Sequence, residues 1–198
     1  MTPRTTRILI VLTAFLGGLL LFTAGIFLIT GRATPPAPMA SAVGGPFQLV
    51  DQDGKAVSDV TLKGKPYLVF FGFTHCPDVC PTALFEISEI LTRLGPDAGK
   101  VNALFVTVDP ERDTAAKLKD YLQSFHPQLR GVTGSMDALD KMLKAYRVYY
   151  KKVPTQGDDY TMDHTALVYL MDKQGRFVAP FNMKRTPEAA AEDLKRYL

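Results

Sequence analysis

The only two cysteines of the chain, Cys76 and Cys80, lie in the stretch His75-Cys76-Pro77-Asp78-Val79-Cys80-Pro81 and have three residues between them. Side chains four residues apart at the start of a helix can turn to one side. The two sulfurs could then bind one metal ion or form a disulfide bond. Dithiol oxidoreductases of the common kind have two residues between their cysteines, so this spacing matches them only weakly.

The supply of further ligands limits the kind of metal site. The chain has no third cysteine and only three histidines, whereas tetrahedral zinc prefers four ligands. Two thiolates and one imidazole form a soft three-coordinate site, which suits Cu(I) and, with a weak fourth ligand, Cu(II). The residue types therefore favour copper.

The three histidines differ in their suitability as the third ligand. His126 precedes Pro127 in a polar stretch typical of a surface loop, and His75 adjoins Cys76, from which its side chain should diverge. His164 opens an otherwise apolar segment that we predict as a strand, where a histidine that only packs in the core would be unusual. Metal binding and core packing both remain open for His164 at this point.

Two neighbours of His164 are further candidates. Met162 lies two residues earlier, hence on the same strand face, and its thioether is a candidate fourth soft ligand, although methionine usually only packs. The sequence does not decide whether Met162 or Asp163 contributes to the site.

Buried strands and a helix should position the cysteines. Residues 67–73 and 101–108 are nearly continuous apolar runs, as in parallel strands that are covered on both faces. Between them, apolar residues recur at helical spacing over residues 84–94, which predicts a helix starting near Pro81. Cys80 would then lie at or beside the helix N-cap, where free amides and the helix dipole should lower its thiol pKa.

The remaining elements complete an α/β pattern. An Asp-Gly turn at residues 51–54 predicts a hairpin between strands 47–50 and 55–57. Further elements are predicted as helices over residues 114–125, 136–146 and 187–197, and as a closing hairpin of strands 164–171 and 177–181. Pro180 should lie at an edge or at the end of its strand because it cannot donate a backbone hydrogen bond. This order of elements predicts a thioredoxin-like α/β fold with an N-terminal β-hairpin.

An apolar run over residues 8–29 contains 22 residues without a charge, and about 20 helical residues suffice to cross a bilayer core. The alternative is a cleaved signal peptide ending at the small-residue pattern Ala40-Ser41-Ala42, but the apolar region of a signal is shorter and lies nearer its cleavage site. We therefore predict a single transmembrane helix. Arg4 and Arg7 precede it and only Arg32 follows closely, which favours a cytoplasmic N-terminus and an exported C-terminal domain.

The predicted organisation is a membrane anchor over residues 1–32, a Pro/Ala/Gly-rich tether over residues 33–46 and one domain over residues 47–198. The three arginines before residue 33 account for the formal net charge of +3, because 20 basic and 20 acidic residues remain. A nucleic-acid-binding protein would need a concentrated basic surface, so that class is not expected.

Three segments of the chain resemble the Sco/SenC family. They are residues 73–81 (FTHCPDVCP), residues 108–114 (VDPERDT) and Asp163-His164-Thr165, where the threonine replaces a serine often found there. The acid-rich loop over residues 109–114 should cap the following helix, with contact to a partner or to the metal site as the alternative. The resemblance covers the whole chain, including the N-terminal anchor.

The resemblance implies a thioredoxin-like copper-binding domain on the outer face of an energy-transducing membrane. It further implies Cys76, Cys80 and His164 as ligands of Cu(I) or Cu(II), and a metallochaperone that assists assembly of the binuclear copper centre of cytochrome c oxidase. The expected partner is the copper-bearing subunit of the oxidase, and a periplasmic copper donor is a second candidate partner.

A rival hypothesis is an enzyme, a thiol-disulfide oxidoreductase whose Cys76-Cys80 pair reduces the copper-ligand cysteines of the oxidase subunit. Both activities could hold in one protein, because metal binding requires the reduced dithiol. A structural disulfide on a docking module is a third alternative. The short, serine-poor segment before the anchor favours a bacterial inner membrane with a periplasmic domain over a mitochondrial inner membrane facing the intermembrane space.

Overall fold

The computed structural model describes residues 3–30 and 43–198, which fall into two compact units divided between Ala40 and Ser41. In the first unit, helix α1 (Pro3–Thr30) contains the apolar segment Ile10–Leu28, none of which is buried. At 1.5 Å per residue α1 is about 40 Å long, which exceeds a bilayer core of about 30 Å. Its length and composition suit either a membrane span or a signal sequence.

Several predicted features of the N-terminal region lie outside the described residues. They are Arg32, the pattern Ala40-Ser41-Ala42 and residues 33–42 of the predicted tether. The end of that tether, residues 43–46, belongs to the second unit, and the Gly44 amide donates to the Ala145 carbonyl over 2.9 Å.

The second unit contains both strands and helices. Its strands are β1 (Gln48–Asp51), β2 (Ala56–Ser58), β3 (Tyr67–Gly72), β4 (Asn102–Thr107), β5 (Leu129–Thr133), β6 (Tyr150–Pro154), β7 (Tyr160–His164), β8 (Val168–Met171) and β9 (Phe177–Pro180). Its helices are α2 (Asp59–Leu62), α3 (Val79–Leu94), α4 (Ala115–Leu122), α5 (Met136–Ala145) and α6 (Pro187–Lys195), with a 3₁₀ helix over Gly95–Lys100.

A seven-stranded mixed sheet in the order β2-β1-β5-β4-β3-β8-β9 forms the centre of this unit. The three middle strands β5, β4 and β3 are parallel, and Phe70 of β3 stands opposite Phe105 of β4. Every residue of β3 is buried, as expected for a strand covered on both faces. The carboxyl end of β3 opens directly into the cysteine-bearing loop.

Most of the predicted elements are confirmed. The fold is α/β and thioredoxin-like, and β1 and β2 form the N-terminal hairpin around Gly54, whose φ of +77° suits glycine in the turn. Helices α4, α5 and α6 begin where expected because Thr114, Ser135 and Thr186 each accept a hydrogen bond from an amide of the first turn. Pro180 ends the edge strand β9.

One strand is missing from the prediction. The strand β5 separates α4 from α5, which the sequence analysis placed in succession. Its run LRGVT is short, and its Gly131 is required because a Cβ there would approach Leu118 to 2.9 Å. Helix α3 is confirmed and begins at Val79, two residues before Pro81, so Cys80, expected at or beside the N-cap, lies in its first turn.

The prediction for the strand around His164 is also wrong. His164 does not open the apolar strand β8, which starts at Val168, but ends the preceding strand β7. The partner of β7 is β6, with Tyr150 opposite His164, and together they form a separate two-stranded sheet. The alternating pattern of residues 160–164 and the turn at Gly157, with a φ of +74°, are the local causes of this hairpin.

Candidate metal centre

The cysteine loop connects the carboxyl end of β3 to the start of α3. Its backbone turns back on itself because the Cys76 amide donates to the Phe73 carbonyl over 3.2 Å. The Cys80 amide, in the first turn of α3, donates to the Cys76 sulfur over 3.3 Å. A free amide at the helix start therefore contacts one cysteine sulfur, but it is Cys76 rather than Cys80.

Cys80 is fully buried, whereas Cys76 is half-buried. The space for the Cys80 sulfur exists because residue 72, at the end of β3, is a glycine. A Cβ at Gly72 would lie 2.8 Å from the Cys80 sulfur and 2.8 Å from an edge carbon of Phe105. Gly72 thus makes room for the Cys80 sulfur, and a glycine that ends an apolar strand before the cysteines is the sequence signal for this role.

His164 reaches the cysteines from the end of β7. Its Nε2 atom lies 3.7 Å from the Cys80 sulfur, and its Nδ1 atom lies 3.1 Å from the Thr165 carbonyl oxygen. When Nδ1 carries the proton and donates to that carbonyl, Nε2 presents a lone pair toward the cysteines. The edges of Phe70 and Phe73 meet the imidazole ring at centroid distances of 6.3 and 5.7 Å and hold it in this orientation.

The ligand atoms of Cys76, Cys80 and His164 all lie within 4.8 Å of one another. One sulfur is buried, whereas the second sulfur and the imidazole are half-buried, so the cluster is shallow and open on one side. Two sulfurs and one imidazole nitrogen form a soft donor set, suited to Cu(I) and, with a weak further ligand, to Cu(II). The two free sulfurs are also close enough to form a disulfide with small adjustments.

The expected lowering of the Cys80 thiol pKa is wrong. Burial raises the pKa of the Cys80 thiol, and the neighbouring Cys76 sulfur and the Asp113 carboxylate add to the increase. The physical reason is that the first turn of α3 places this side chain in the core, where loss of water outweighs the helix amides. Without a bound cation, Cys80 is therefore a thiol at neutral pH.

Among the described residues, His75, His126 and Asp163 do not belong to this group of converging ligand atoms. His75 is exposed, and its Nδ1 atom contacts the Thr74 hydroxyl, while the Nδ1 atom of His126 accepts from the Gln128 amide in a loop. Met162 is buried in the core and Asp163 is exposed.

The acidic segment 108–114 does more than cap α4. Thr114 is the cap, but the fully buried Asp113 accepts three hydrogen bonds, from the Thr74 amide, the Thr74 hydroxyl and the Thr107 hydroxyl, at 3.0, 2.6 and 2.7 Å. Asp113 therefore attaches the start of the cysteine loop to the end of β4. The sequence indicated the importance of this segment but not its contact with Thr74.

An open groove of about 540 Å³ adjoins the cluster. Its lining includes Asp78 and Val79, which directly precede Cys80, and Ala166 and Leu167, which follow shortly after His164. Val79 and Leu167 are each 47% exposed. The groove thus has exposed apolar side chains close in sequence to Cys80 and His164, and such side chains often mark contact sites for another molecule.

Comparisons with known proteins agree with one another. The SCO1/SenC family model matches residues 35–198. A curated relative, SCO1 homolog 1, mitochondrial, of Arabidopsis thaliana, is 41% identical over 144 residues, which represent 72% of this chain and 43% of the relative. The chain therefore spans less than half the length of that relative.

Two solved structures are similar over most of the chain. The structure of Bradyrhizobium japonicum ScoI with copper bound is 68% identical, and the match covers 79% of this chain and 99% of that one with a TM-score of 0.78. The structure of BsSco, described as having a disulfide switch and as a member of the Sco family of cytochrome c oxidase assembly proteins, is 27% identical; the match covers 80% and 94% of the two chains with a TM-score of 0.62.

Proposed function

Since the chain belongs to the SCO1/SenC family, we propose that it binds copper through Cys76, Cys80 and His164 and delivers it during assembly of the binuclear copper centre of cytochrome c oxidase. The observation that carries this proposal is the approach of three soft ligand atoms to within 4.8 Å of one another. The copper-bound relative of 68% identity and the oxidase-assembly relative support the choice of metal and of process.

Copper is the cargo of this site, and the chain's own residues set how it is held and released. Cys80 anchors the ion from the buried side, while Cys76 and His164 hold it from the half-exposed side. Binding of the cation requires Cys80 to lose its proton, because the thiolate is the ligand. A partner's thiolates can replace the half-exposed ligands one at a time, since the open side admits an incoming ligand.

The proposed recipient is the copper-bearing subunit of the oxidase. The groove supports the proposal that the recipient is a protein. Its exposed Val79 directly precedes the proposed ligand Cys80, and its exposed Leu167 follows the proposed ligand His164 by three positions. A docked partner would cover these apolar side chains and bring its own ligands to the open side of the site.

A transfer assay tests this function. The full chain in detergent is loaded with Cu(I) and mixed with the reduced, copper-free subunit, and copper is measured on both proteins after separation. We expect copper to move to the subunit, and a Cys76→Ser/Cys80→Ser double variant to carry none. Retention of all copper by the wild-type chain, or equal delivery by the double variant, would contradict the proposal.

The two free thiols of Cys76 and Cys80 support a second candidate function, which is the reduction of oxidised cysteines in the partner. The half-exposed Cys76 sulfur could attack a partner disulfide and form a mixed disulfide, which the adjacent Cys80 then resolves. Two electrons pass to the partner, whose two sulfurs are released as thiols, and Cys76 and Cys80 become the disulfide. His164 has no part in these steps, so His164→Ala should abolish copper delivery but leave this reduction intact.

The proposed location is a bacterial inner membrane, with residues 1–32 as anchor, 33–46 as tether and 47–198 exported to the periplasm. The apolar segment of helix α1 and the excess of arginine before that segment support this orientation. Protease added to spheroplasts should digest the domain. Protection of the domain, or a mature N-terminus near Val43, would contradict the anchored topology.

A further inference from the structure

Arg112 is a largely buried cation that joins two segments near the site. Its side chain is 17% exposed, and its Nε atom donates to the Asp109 carboxylate over 2.5 Å. Its Nη1 atom donates to the Tyr160 carbonyl over 2.9 Å and to the Asp159 carboxylate over 3.3 Å. Arg112 thus connects the loop after β4 to the first residue of β7.

Tyr160 is held by the same loop through its side chain. Its hydroxyl donates to the second oxygen of Asp109 over 2.9 Å, and the Arg112 guanidinium carbon lies 3.7 Å from the centroid of its ring. Lys152 of β6 lies 3.8 Å from that centroid and pairs with Glu111. A cation over an aromatic ring is an attractive arrangement, stronger when it is shielded from water.

These contacts matter because the β6–β7 hairpin has no strand pairing with the main sheet in the part of the chain that the structure describes. Side-chain contacts must therefore fix its position. Besides those of Arg112, Asp109 and Glu111, the Tyr150 hydroxyl donates to Asp140 of α5 over 2.9 Å. His164 is the last residue of this hairpin, four positions after Tyr160, so any movement of β7 moves the imidazole.

A second route leads from Arg112 to His164 through one aromatic ring. The Arg112 guanidinium carbon lies 5.8 Å from the centroid of Phe73, and the Phe73 ring meets the His164 ring edge to face at 5.7 Å. Phe73 also opens the cysteine loop. The loop that carries Arg112 therefore contacts both halves of the site, since its Asp113 accepts hydrogen bonds from Thr74.

The geometry points to Arg112, with Asp109 and Tyr160, as a latch that positions His164 against the cysteines and sets how firmly the third ligand is held. In the closed latch His164 completes the donor set. When the latch opens, β7 can withdraw the imidazole, and only the two sulfurs remain on the cargo. This inference rests on the proposed copper-binding function, and it assigns control of copper retention to residues that do not touch the metal.

The latch requires the particular shape of arginine. The planar guanidinium stacks on the Tyr160 ring while its edge donates in three directions, which a lysine ammonium cannot reproduce. Arg130 provides a matched control: it also pairs with a buried aspartate, Asp51, over 2.9 Å, but it lies on β5 and does not contact the hairpin in the described contacts.

The test compares the full chain in detergent as wild type, Arg112→Gln, Tyr160→Phe and Arg130→Gln. Amide hydrogen exchange of residues 150–154 and 160–164 is measured on the metal-free proteins, and the loss of Cu(II) to a competing chelator on the loaded ones. Electron paramagnetic resonance reports whether an imidazole nitrogen remains on Cu(II). The metal-free measurement keeps this test separate from a failure of the copper-binding proposal itself.

We expect Arg112→Gln to accelerate amide exchange in the hairpin about tenfold, with β3 unchanged, and to accelerate copper loss by a similar factor. Its nitrogen signal should weaken toward that of His164→Ala, and Tyr160→Phe should show the same changes to a smaller degree. Arg130→Gln should match the wild type in the hairpin. If Arg112→Gln and Tyr160→Phe resemble Arg130→Gln in these measurements, the proposed latch is contradicted. If Arg112→Gln does not fold, the comparison of Tyr160→Phe with Arg130→Gln decides whether the latch exists.

Discussion

The Nε2 atom of His164 lies 3.7 Å from the Cys80 sulfur, although 84 positions separate the two residues in the chain. Cys80 lies in the first turn of helix α3, and His164 lies at the end of β7, a strand that pairs with β6 outside the main sheet. Their approach depends on the packing of a separate hairpin against the end of β3. The donor set is therefore a product of tertiary structure, and its properties should respond to changes at positions that bear no ligand.

Selective alkylation tests the contrast between the two cysteines. Because iodoacetamide reacts with thiolates and burial raises the Cys80 pKa above its ordinary value of about 8.5, Cys80 should remain protonated and unreactive at pH 8. The half-buried Cys76 should react first in the reduced, metal-free protein, whereas denaturant should make the two rates similar. Mass spectrometry of the cysteine peptides measures both rates, and equal labelling in the native protein would refute the assignment.

Gly72→Ala should disturb the site without changing any ligand. Its Cβ would lie 2.8 Å from the Cys80 sulfur, so the sulfur must shift, at a cost of about 1–3 kcal/mol in the free energy of unfolding. We expect weaker copper binding in competition titrations and a lower midpoint in denaturant unfolding. Gly99→Ala is the control, since its nearest atom would be 3.8 Å away; indistinguishable behaviour of the two variants would argue against a need for glycine at position 72.

Oxidation should switch copper binding off. A disulfide between Cys76 and Cys80 removes both thiolates and leaves His164 as the single remaining ligand of the three, so the oxidised chain should retain far less copper than the dithiol. Equilibrium dialysis of both forms measures the difference, and re-reduction should restore binding. Equal copper retention by disulfide and dithiol would exclude the cysteines from the site.

Charge in the groove should separate delivery from binding. Leu167→Glu places a carboxylate in the groove where we propose that the partner binds. Transfer of copper to the oxidase subunit should therefore slow by about tenfold, while the affinity for copper stays unchanged. Val60→Glu, at an exposed valine of α2 that does not line this groove, should transfer copper like the wild type. Transfer by Leu167→Glu at the wild-type rate would remove this groove from the interface.

The sequence predicted the parts of the fold that have strong local patterns. The apolar runs of β3 and β4, the Asp-Gly hairpin and the starts of α4, α5 and α6 depend on local physical preferences, and all are confirmed. The strand β5 was missed because its five residues include a glycine, whose role is to admit Leu118 of a helix packed on the sheet.

The site was only partly accessible from sequence, for two physical reasons. His164 was recognised as unusual, but its place at the end of β7 follows from pairing with β6, whose mixture of lysines, tyrosine and proline gave no clear strand signal. The pKa of Cys80 was predicted in the wrong direction, because helix position is visible in a sequence whereas burial of one side chain is decided by the whole core. The contacts of Asp113 with Thr74 and of Arg112 with Tyr160 likewise join segments that are distant in the sequence.

X-ray absorption at the copper edge provides the most direct measurement of the central proposal. The full chain is loaded with one equivalent of Cu(I) under anaerobic conditions, as wild type, His164→Ala and His75→Ala, the last of which removes an exposed imidazole beside Cys76. We predict two sulfur ligands and one nitrogen ligand in the wild type and in His75→Ala, and loss of the nitrogen with both sulfurs retained in His164→Ala. A copper environment without two sulfurs, or one that is identical in the wild type and His164→Ala, would contradict binding through Cys76, Cys80 and His164.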